Sequence, residues 1–175
     1  MLNTLVSSKT KIKLLLKFFL NSSNTAYLRN LESEFGESTN AIRLELNKFE
    51  ESGLLNSYSE SNKKIFKANT KHPLYPEINS IIRKYVGIDR IIDSIVSKLG
   101  EPDHVWLVGN LANGINSDTI ELKISGNVDE DYLDELVLKV EQTINKKLKI
   151  ELLSEFESLV IGNKLEPSLL LWSKA

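Results

Sequence analysis

Two short amphipathic segments, separated by a turn that contains a glycine, constrain the fold of this chain more than any other feature. In the first segment Leu28, Leu31 and Phe35 recur at helical spacing. Gly36 then suits the left-handed conformation that commonly follows the last residue of a helix. This pattern predicts a helix of about two turns that ends at the glycine.

The second segment predicts a longer helix. Its apolar stripe consists of Ile42, Leu46 and Phe49. Ser38 or Thr39 can cap its first turn. Two short helices joined by a tight turn form a helix-turn-helix, in which the second helix enters the DNA major groove.

The flanking segments predict another helix and a β-hairpin. Before the pair, Ser8 can cap a helix that carries Phe19 in its apolar stripe and lysines, among them Lys17, on its remaining faces. After the pair, the sequence LLNSYSESNKKIFKAN predicts two strands around a polar SESNKK turn. Ile65 and Phe66 anchor the returning strand.

The second helix resembles the recognition helix of the ArsR-like winged helix-turn-helix regulators. In that family the helix opens with small polar residues and continues with a β-branched core residue, a leucine, another apolar residue and a Gly-Leu exit. The matching residues here are Ile42, Leu46, Phe49, Gly53 and Leu54. The resemblance covers residues 5–70 and implies a transcriptional regulator, with residues 1–72 as its DNA-binding domain.

Polar side chains off the apolar stripe are the candidate contacts to double-stranded DNA. They lie near the start of the second helix, one turn further along it, and at the tip of the hairpin, where they can donate to phosphates or base edges. The candidate residues are Thr39, Asn40, Arg43, Asn47, Lys63 and Lys64. Glu37, Glu45 and Glu50 dilute the positive charge of this face, so we expect moderate affinity that needs a homodimer. The alternative is that these helices and the hairpin pack together without any role in DNA binding.

The charge of the chain is unevenly divided. The net charge is −2, but residues 1–72 contain 11 lysines and arginines against 7 acidic residues, whereas residues 73–175 contain 11 against 17. A basic first part suits contact with phosphates, and an acidic second part does not.

The composition removes several classes of function. The sequence has no cysteine and only two histidines, which excludes thiolate zinc sites, thiol nucleophiles and a histidine-rich metal site. We therefore expect neither a metal nor a cofactor. No stretch is long and apolar enough to span a membrane, and the first residues lack a small-residue cleavage site, so we expect a cytoplasmic protein without a membrane partner.

Residues 73–100 are predicted to form a helical linker. Isoleucines recur at helical spacing on both sides of Gly87, which predicts a helix pair or one bent helix. In winged-helix proteins a helix after the wing often forms the dimer interface, and this isoleucine-rich face is the candidate for it. The alternative is that the face packs against the chain's own second domain.

Residues 101–175 predict a small α/β domain, which makes the whole chain α+β. HVWLVG, TIELKIS and KIELLS predict strands, and a long helix is expected from about Glu130 to Leu148. Ser154 and Glu157 form a capping box for a further helix. The C-terminal piece NKLEPSLLLWSKA is expected to be mainly helical and to pack on the protein or on a partner subunit.

The stretch VGNLANGINSDTIELKIS resembles the opening signature of minimal nucleotidyltransferases, which runs Gly-Ser, Ala-x-Gly and then a strand with Asp-x-Asp. Gly109, Ala112 and Gly114 match the glycine loop that approaches the nucleotide phosphates. Asn110 stands where the family has serine, and Thr119 and Glu121 stand where it has the two aspartates. The resemblance therefore implies a vestigial nucleotide loop formed by Gly109, Asn110 and Gly114.

The carboxylates near this loop predict that the domain is not an enzyme. Two residues on one face of a strand must be two apart to hold magnesium together, whereas Asp118 is three residues from Glu121. A poor metal pair of Glu121 and Glu151 is the alternative, and with it a minimal nucleotidyltransferase. Otherwise we expect a dimerisation or ligand-sensing domain with an unknown effector. A winged helix that serves as a protein-interaction module is the remaining hypothesis.

Overall fold

The computed structural model describes residues 2–161 and 167–175. It contains helices and sheets, so the chain is an α+β protein, as the sequence predicts. The chain divides into two compact units, Met1–Tyr85 and Val86–Ala175. The predicted linker, residues 73–100, is shared between these units.

The first unit consists of helices and a small three-stranded sheet. The sheet is antiparallel and has the strand order β1-β3-β2. The elements up to the boundary are α1 Leu2–Leu5, α2 Lys9–Leu15, a π-helical turn Leu16–Leu20, β1 Thr25–Ala26, α3 Leu28–Phe35, α4 Thr39–Glu51, β2 Leu55–Glu60, β3 Lys63–Ala68 and α5 Tyr75–Val86.

Local capping signals set the ends of the first helices. The Ser8 hydroxyl accepts a hydrogen bond from the backbone N–H of Lys11, and the Ser38 hydroxyl accepts one from that of Ala41. Gly36 has φ 62° in the left-handed region and ends α3. The predicted helix pair and its turn are therefore confirmed.

The burial of Lys17 differs from the prediction. It was placed on a face outside the apolar stripe, but the residue is only 5% exposed and its ammonium group donates to the Glu34 carboxylate at 2.7 Å. Thr10 and Leu14, seven and three residues before Lys17, are buried as well, so this helix has a second buried face besides its apolar stripe. In the π-helical turn, Phe18 and Phe19 are both buried.

The hairpin turn is tighter than predicted. It contains two residues, Ser61 and Asn62, with φ 47° and 62°, rather than the six of SESNKK. Two-residue turns with positive φ at both positions match the twist of the strands that they join. Lys63 and Lys64 are therefore the first two residues of β3 and directly follow the turn.

The second unit contains a four-stranded sheet with the order β6-β5-β4-β7. Strands β5 and β6 are parallel, and the other pairs are antiparallel. Its elements are α6 Ile88–Lys98, β4 Gly100–Val108, α7 Gly109–Ala112, β5 Thr119–Val128, α8 Glu130–Ile144, β6 Lys147–Leu153, α9 Glu155–Ile161 and β7 Leu169–Ser173.

Two predictions for the second unit are wrong. Helix α8 ends at Ile144, because Asn145 adopts a left-handed conformation with φ 54°, and Leu148 belongs to β6. The end of the C-terminal piece is a strand rather than a helix, since β7 pairs with β4. Residues 163–166 of that piece lie outside the described residues. The Ser154 and Glu157 capping box is present as predicted.

The isoleucine-rich segment has two different environments. In α6, Ile88, Ile91 and Ile95 are fully buried, and the helix packs against α8 and β4 of its own unit. This corresponds to the alternative that the face packs within the chain. In α5, by contrast, Ile81 is 52% exposed and Tyr85 is also exposed.

Candidate nucleic-acid interface

A cleft of about 600 Å³ lies between helix α4 and the β2–β3 hairpin of the first unit. Of the six predicted DNA contacts, Arg43, Asn47, Lys63 and Lys64 line it. The remaining lining residues are Tyr27, Leu28, Arg29, Leu46, Ser61, Asn62 and Phe66. The fold thus brings cations from three separate segments of the sequence to one concave surface.

Helix α4 orients its polar residues by burying the opposite face. Ile42 and Leu46 are fully buried, which leaves Asn40, Arg43 and Asn47 exposed. Thr39 is half-buried on the first turn of the helix. Thr39 and Asn40 do not line the cleft and extend the polar surface beyond it.

The two hairpin lysines are held in different ways. The Lys63 ammonium lies 4.4 Å from the centre of the Tyr27 ring, which is a cation–π contact. The Lys64 ammonium lies 2.6 Å from the Glu50 carboxylate and 5.0 Å from the centre of the Phe66 ring. Lys64 is therefore paired with a carboxylate, whereas no carboxylate of the described residues pairs with Lys63.

The three glutamates that were expected to dilute the positive face each form an ion pair with lysine. Glu37 accepts hydrogen bonds from Lys13 at 2.6 Å and from the Thr10 hydroxyl, both on α2. Burial raises the pKa of Glu37, but these hydrogen bonds outweigh it and hold the pKa below its ordinary value of 4.5. Glu45 lies 3.7 Å from Lys11, also on α2.

Glu50 differs from the other two because it borders the hairpin. Hydrogen bonds from Lys64 and from the Ser57 hydroxyl lower the pKa of its carboxyl. Glu37 and Glu45 thus pair with α2, and among the described ion pairs of these three glutamates Glu50 alone engages a lysine that lines the cleft.

Arg29, Tyr27 and Asn62 also line the cleft, although the sequence pattern did not single them out. Arg29 is the second residue of α3, and its exposed side chain lies near α4 because α3 and α4 pack together. Within the described part of the chain, neither Arg29 nor Arg43 forms an ion pair. The sequence shows that Arg29 lies off the apolar stripe of α3. Its position in the same cleft as the hairpin depends on the tertiary fold.

The predicted nucleotide loop lies in the second unit. Gly109 and Gly114 have φ 71° and 70°, so both use the left-handed conformation, and Asn110 is exposed. Gly109 and Asn110 line a cavity with Glu121 and Glu151, whereas Gly114 is buried away from it.

The proposed metal pair in this cavity is compromised by lysines. The Glu151 carboxylate lies 3.3 Å from the Lys123 ammonium, and Lys149 lines the same cavity. Over residues 2–161 and 167–175, no cluster of three or more histidine or acidic side chains could hold a metal ion. The two lysines therefore compete with a metal ion for these two carboxylates.

No described helix is long and apolar enough to cross a membrane. Comparisons with protein-family models, curated proteins and solved structures found no match to this chain.

Proposed function

We propose that the chain is a sequence-specific regulator of transcription that binds double-stranded DNA as a homodimer. In this proposal the first unit is a winged helix-turn-helix domain, α4 enters the major groove, and the β2–β3 hairpin is the wing. The observation that carries the proposal is the cationic cleft, where Arg29, Arg43 and Lys63 converge without carboxylate partners in the described structure.

The chemistry of the exposed face of α4 supports base contacts. Asn40, Arg43 and Asn47 present amide and guanidinium groups, which recognise adenine and guanine edges in the major groove. A single α-helix fits the width of that groove. Lys63 follows the hairpin turn directly and is suited to contact the flanking phosphates.

The homodimer is proposed to form through helix α5. Leu74 just before the helix and Ile81 and Tyr85 within it are exposed apolar residues, separated by seven and four positions. This spacing puts them on one stripe of a helix. A symmetric dimer would bind two half-sites about one DNA turn apart.

The second unit is proposed to have no catalytic role. The Lys123–Glu151 ion pair uses one of the two carboxylates that magnesium would need. We propose that this unit acts in regulation instead, without a metal or cofactor and from a cytoplasmic location.

Fluorescence anisotropy tests the proposal. A duplex selected by the protein from a random pool is titrated at two salt concentrations and compared with a scrambled duplex. Arg43→Ala is expected to weaken binding to the selected duplex by about 1–3 kcal/mol, because a base contact is lost. Lys63→Ala is expected to weaken binding to both duplexes and to flatten the salt dependence.

The matched control is Lys71→Ala, at an exposed lysine of the same unit that does not line the cleft. It is expected to bind almost like the unaltered protein. Binding that is insensitive to salt, to sequence and to both Arg43→Ala and Lys63→Ala would refute the proposal. If the protein instead formed a stable complex with another protein through this face, the winged helix would be an interaction module.

A further inference from the structure

A cavity of about 390 Å³ opens on one face of the sheet in the second unit. Side-chain alternation sets Glu121 and Lys123 on the same face of β5. The parallel register puts Glu121 next to Lys149 and Lys123 next to Glu151 on β6. The cavity lining therefore contains two carboxylates and two ammonium groups that alternate between the strands.

Only one of these charge pairs is formed within the described part of the protein. Lys123 and Glu151 lie 3.3 Å apart, but no ion pair or hydrogen bond joins Glu121 or Lys149 to any described residue. The Glu121 carboxylate lies directly against Gly109, where a Cβ atom would overlap it. One carboxylate and one ammonium group are thus left facing the same open space.

This arrangement favours a ligand that carries both charges. Because Lys123 and Glu151 neutralise each other, the charges that remain for a ligand are the Glu121 carboxylate and the Lys149 ammonium group, so a ligand of one charge sign is attracted by one of them and repelled by the other. A small zwitterion satisfies Glu121 with its ammonium group and Lys149 with its carboxylate. The volume is that of a small-molecule site.

We propose that this cavity binds a free α-amino acid. The ammonium group of the ligand donates to the Glu121 carboxylate, and the ligand carboxylate accepts from the Lys149 ammonium. The exposed Asn110 side chain and that of Asn113 border the space available to the ligand's own side chain. The site does not depend on DNA binding by the first unit, although an amino acid bound here would be the effector of the proposed regulator.

The test is calorimetric titration and thermal unfolding of the full chain with each proteinogenic amino acid. At least one is expected to bind and to raise the Tm by roughly 4 °C or more when saturating. Its decarboxylated amine and its deaminated acid are expected to bind at least about tenfold more weakly, because each lacks one charged contact. Inorganic phosphate and ATP with magnesium are titrated in parallel.

Glu121→Gln and Lys149→Met are expected to weaken binding of that amino acid by about tenfold or more. Glu130→Gln and Lys98→Met, at exposed positions outside the cavity, are the matched controls and should bind normally. The proposal is overturned if no amino acid binds, if the single-charge analogues bind equally well, or if phosphate or ATP binds instead. The analogues are titrated against the unaltered protein, so they test the charge contacts even if a variant fails to fold.

Discussion

Leu44 stands out among the side chains of α4, since it is 62% exposed in the middle of a polar face. Asn40 precedes it by one turn, and Asn47 follows it by almost one. A single exposed leucine needs no explanation by itself. On a helix proposed to enter the major groove, however, it can contact the C5-methyl group of thymine, the apolar feature of that groove.

Leu44→Ala is therefore expected to weaken binding to a selected duplex that contains thymine in the half-site. The loss should be about fivefold, or ~1 kcal/mol, which corresponds to one buried methyl group. Replacing the contacted thymine by deoxyuracil should produce the same loss in the unaltered protein and no further loss in the variant. Anisotropy titrations of the four combinations measure this coupling.

The control is Leu138→Ala, at a leucine that is 61% exposed in the second unit. It should bind both duplexes like the unaltered protein. A Leu44→Ala variant that lost affinity equally for thymine and deoxyuracil duplexes would contradict the methyl contact.

The ionisation of Glu37 contributes to the stability of the first unit. Lys13 and Thr10 of α2 donate to its carboxylate, and its pKa is lower in the folded chain than the ordinary 4.5. A carboxyl group whose pKa is lower in the folded chain than in the unfolded chain stabilises the fold at pH values above the unfolded pKa. This contribution is lost as the pH falls from 4.5 through the folded pKa.

Glu37→Gln should therefore lower the free energy of unfolding by about 1 kcal/mol at pH 7, because Lys13 loses its charged partner. The difference from the unaltered protein should shrink as the pH falls below 4.5. Urea denaturation at a series of pH values measures it. Glu60→Gln, at an exposed glutamate, is the control. A Glu37→Gln effect that persisted unchanged in acid would argue against the ionic contribution.

At the level of helices and strands, the elements with local signals were predictable. The bounds of α3 and α4 follow from Ser38 and Gly36, which act on backbone groups within one turn of themselves. Strands β5 and β6 follow from short apolar patterns. Such features depend on a few neighbouring residues, so these helices and strands can be predicted from the sequence alone.

The elements that the sequence did not predict depend on distant parts of the chain. The apolar run in β7 fits a helix or a strand equally well, and pairing with β4, more than 60 residues earlier, selects the strand. Lys17 is buried because the face of the helix that it shares with Thr10 and Leu14 is buried, and Glu34 pairs with its ammonium group there. No local pattern in the sequence indicates either event.

The candidate DNA interface shows the same division. The exposed positions of α4 follow from its apolar stripe, so Arg43 and Asn47 could be chosen from spacing alone. Arg29 and Tyr27 line the cleft because α3, α4 and β3 meet in the tertiary fold. Glu37 and Glu45 find their lysine partners because α2 packs near them. The pairing of Glu121 with Lys149 across strands likewise required the register of the sheet.

For the molecule as a whole, the two units carry opposite charge. Residues 1–85 contain 13 lysines and arginines against 8 acidic residues, and residues 86–175 contain 9 against 16. The net charges are therefore +5 and −7. If DNA contacts only the first unit, the salt dependence of binding should depend on the cations of that unit alone.

Arg29→Gln tests whether the cations of the first unit set the salt dependence of DNA binding, because Arg29 lines the cleft. Each phosphate contact contributes about 0.9 to the slope of log K against log salt concentration, since it releases condensed counterions. The substitution should reduce the slope by about that amount on both selected and scrambled duplexes. Lys98→Gln, at an exposed lysine of the second unit, should leave the slope unchanged. An equal reduction by both substitutions would mean that the acidic unit also contacts DNA, and that the charge division does not separate the roles of the two units.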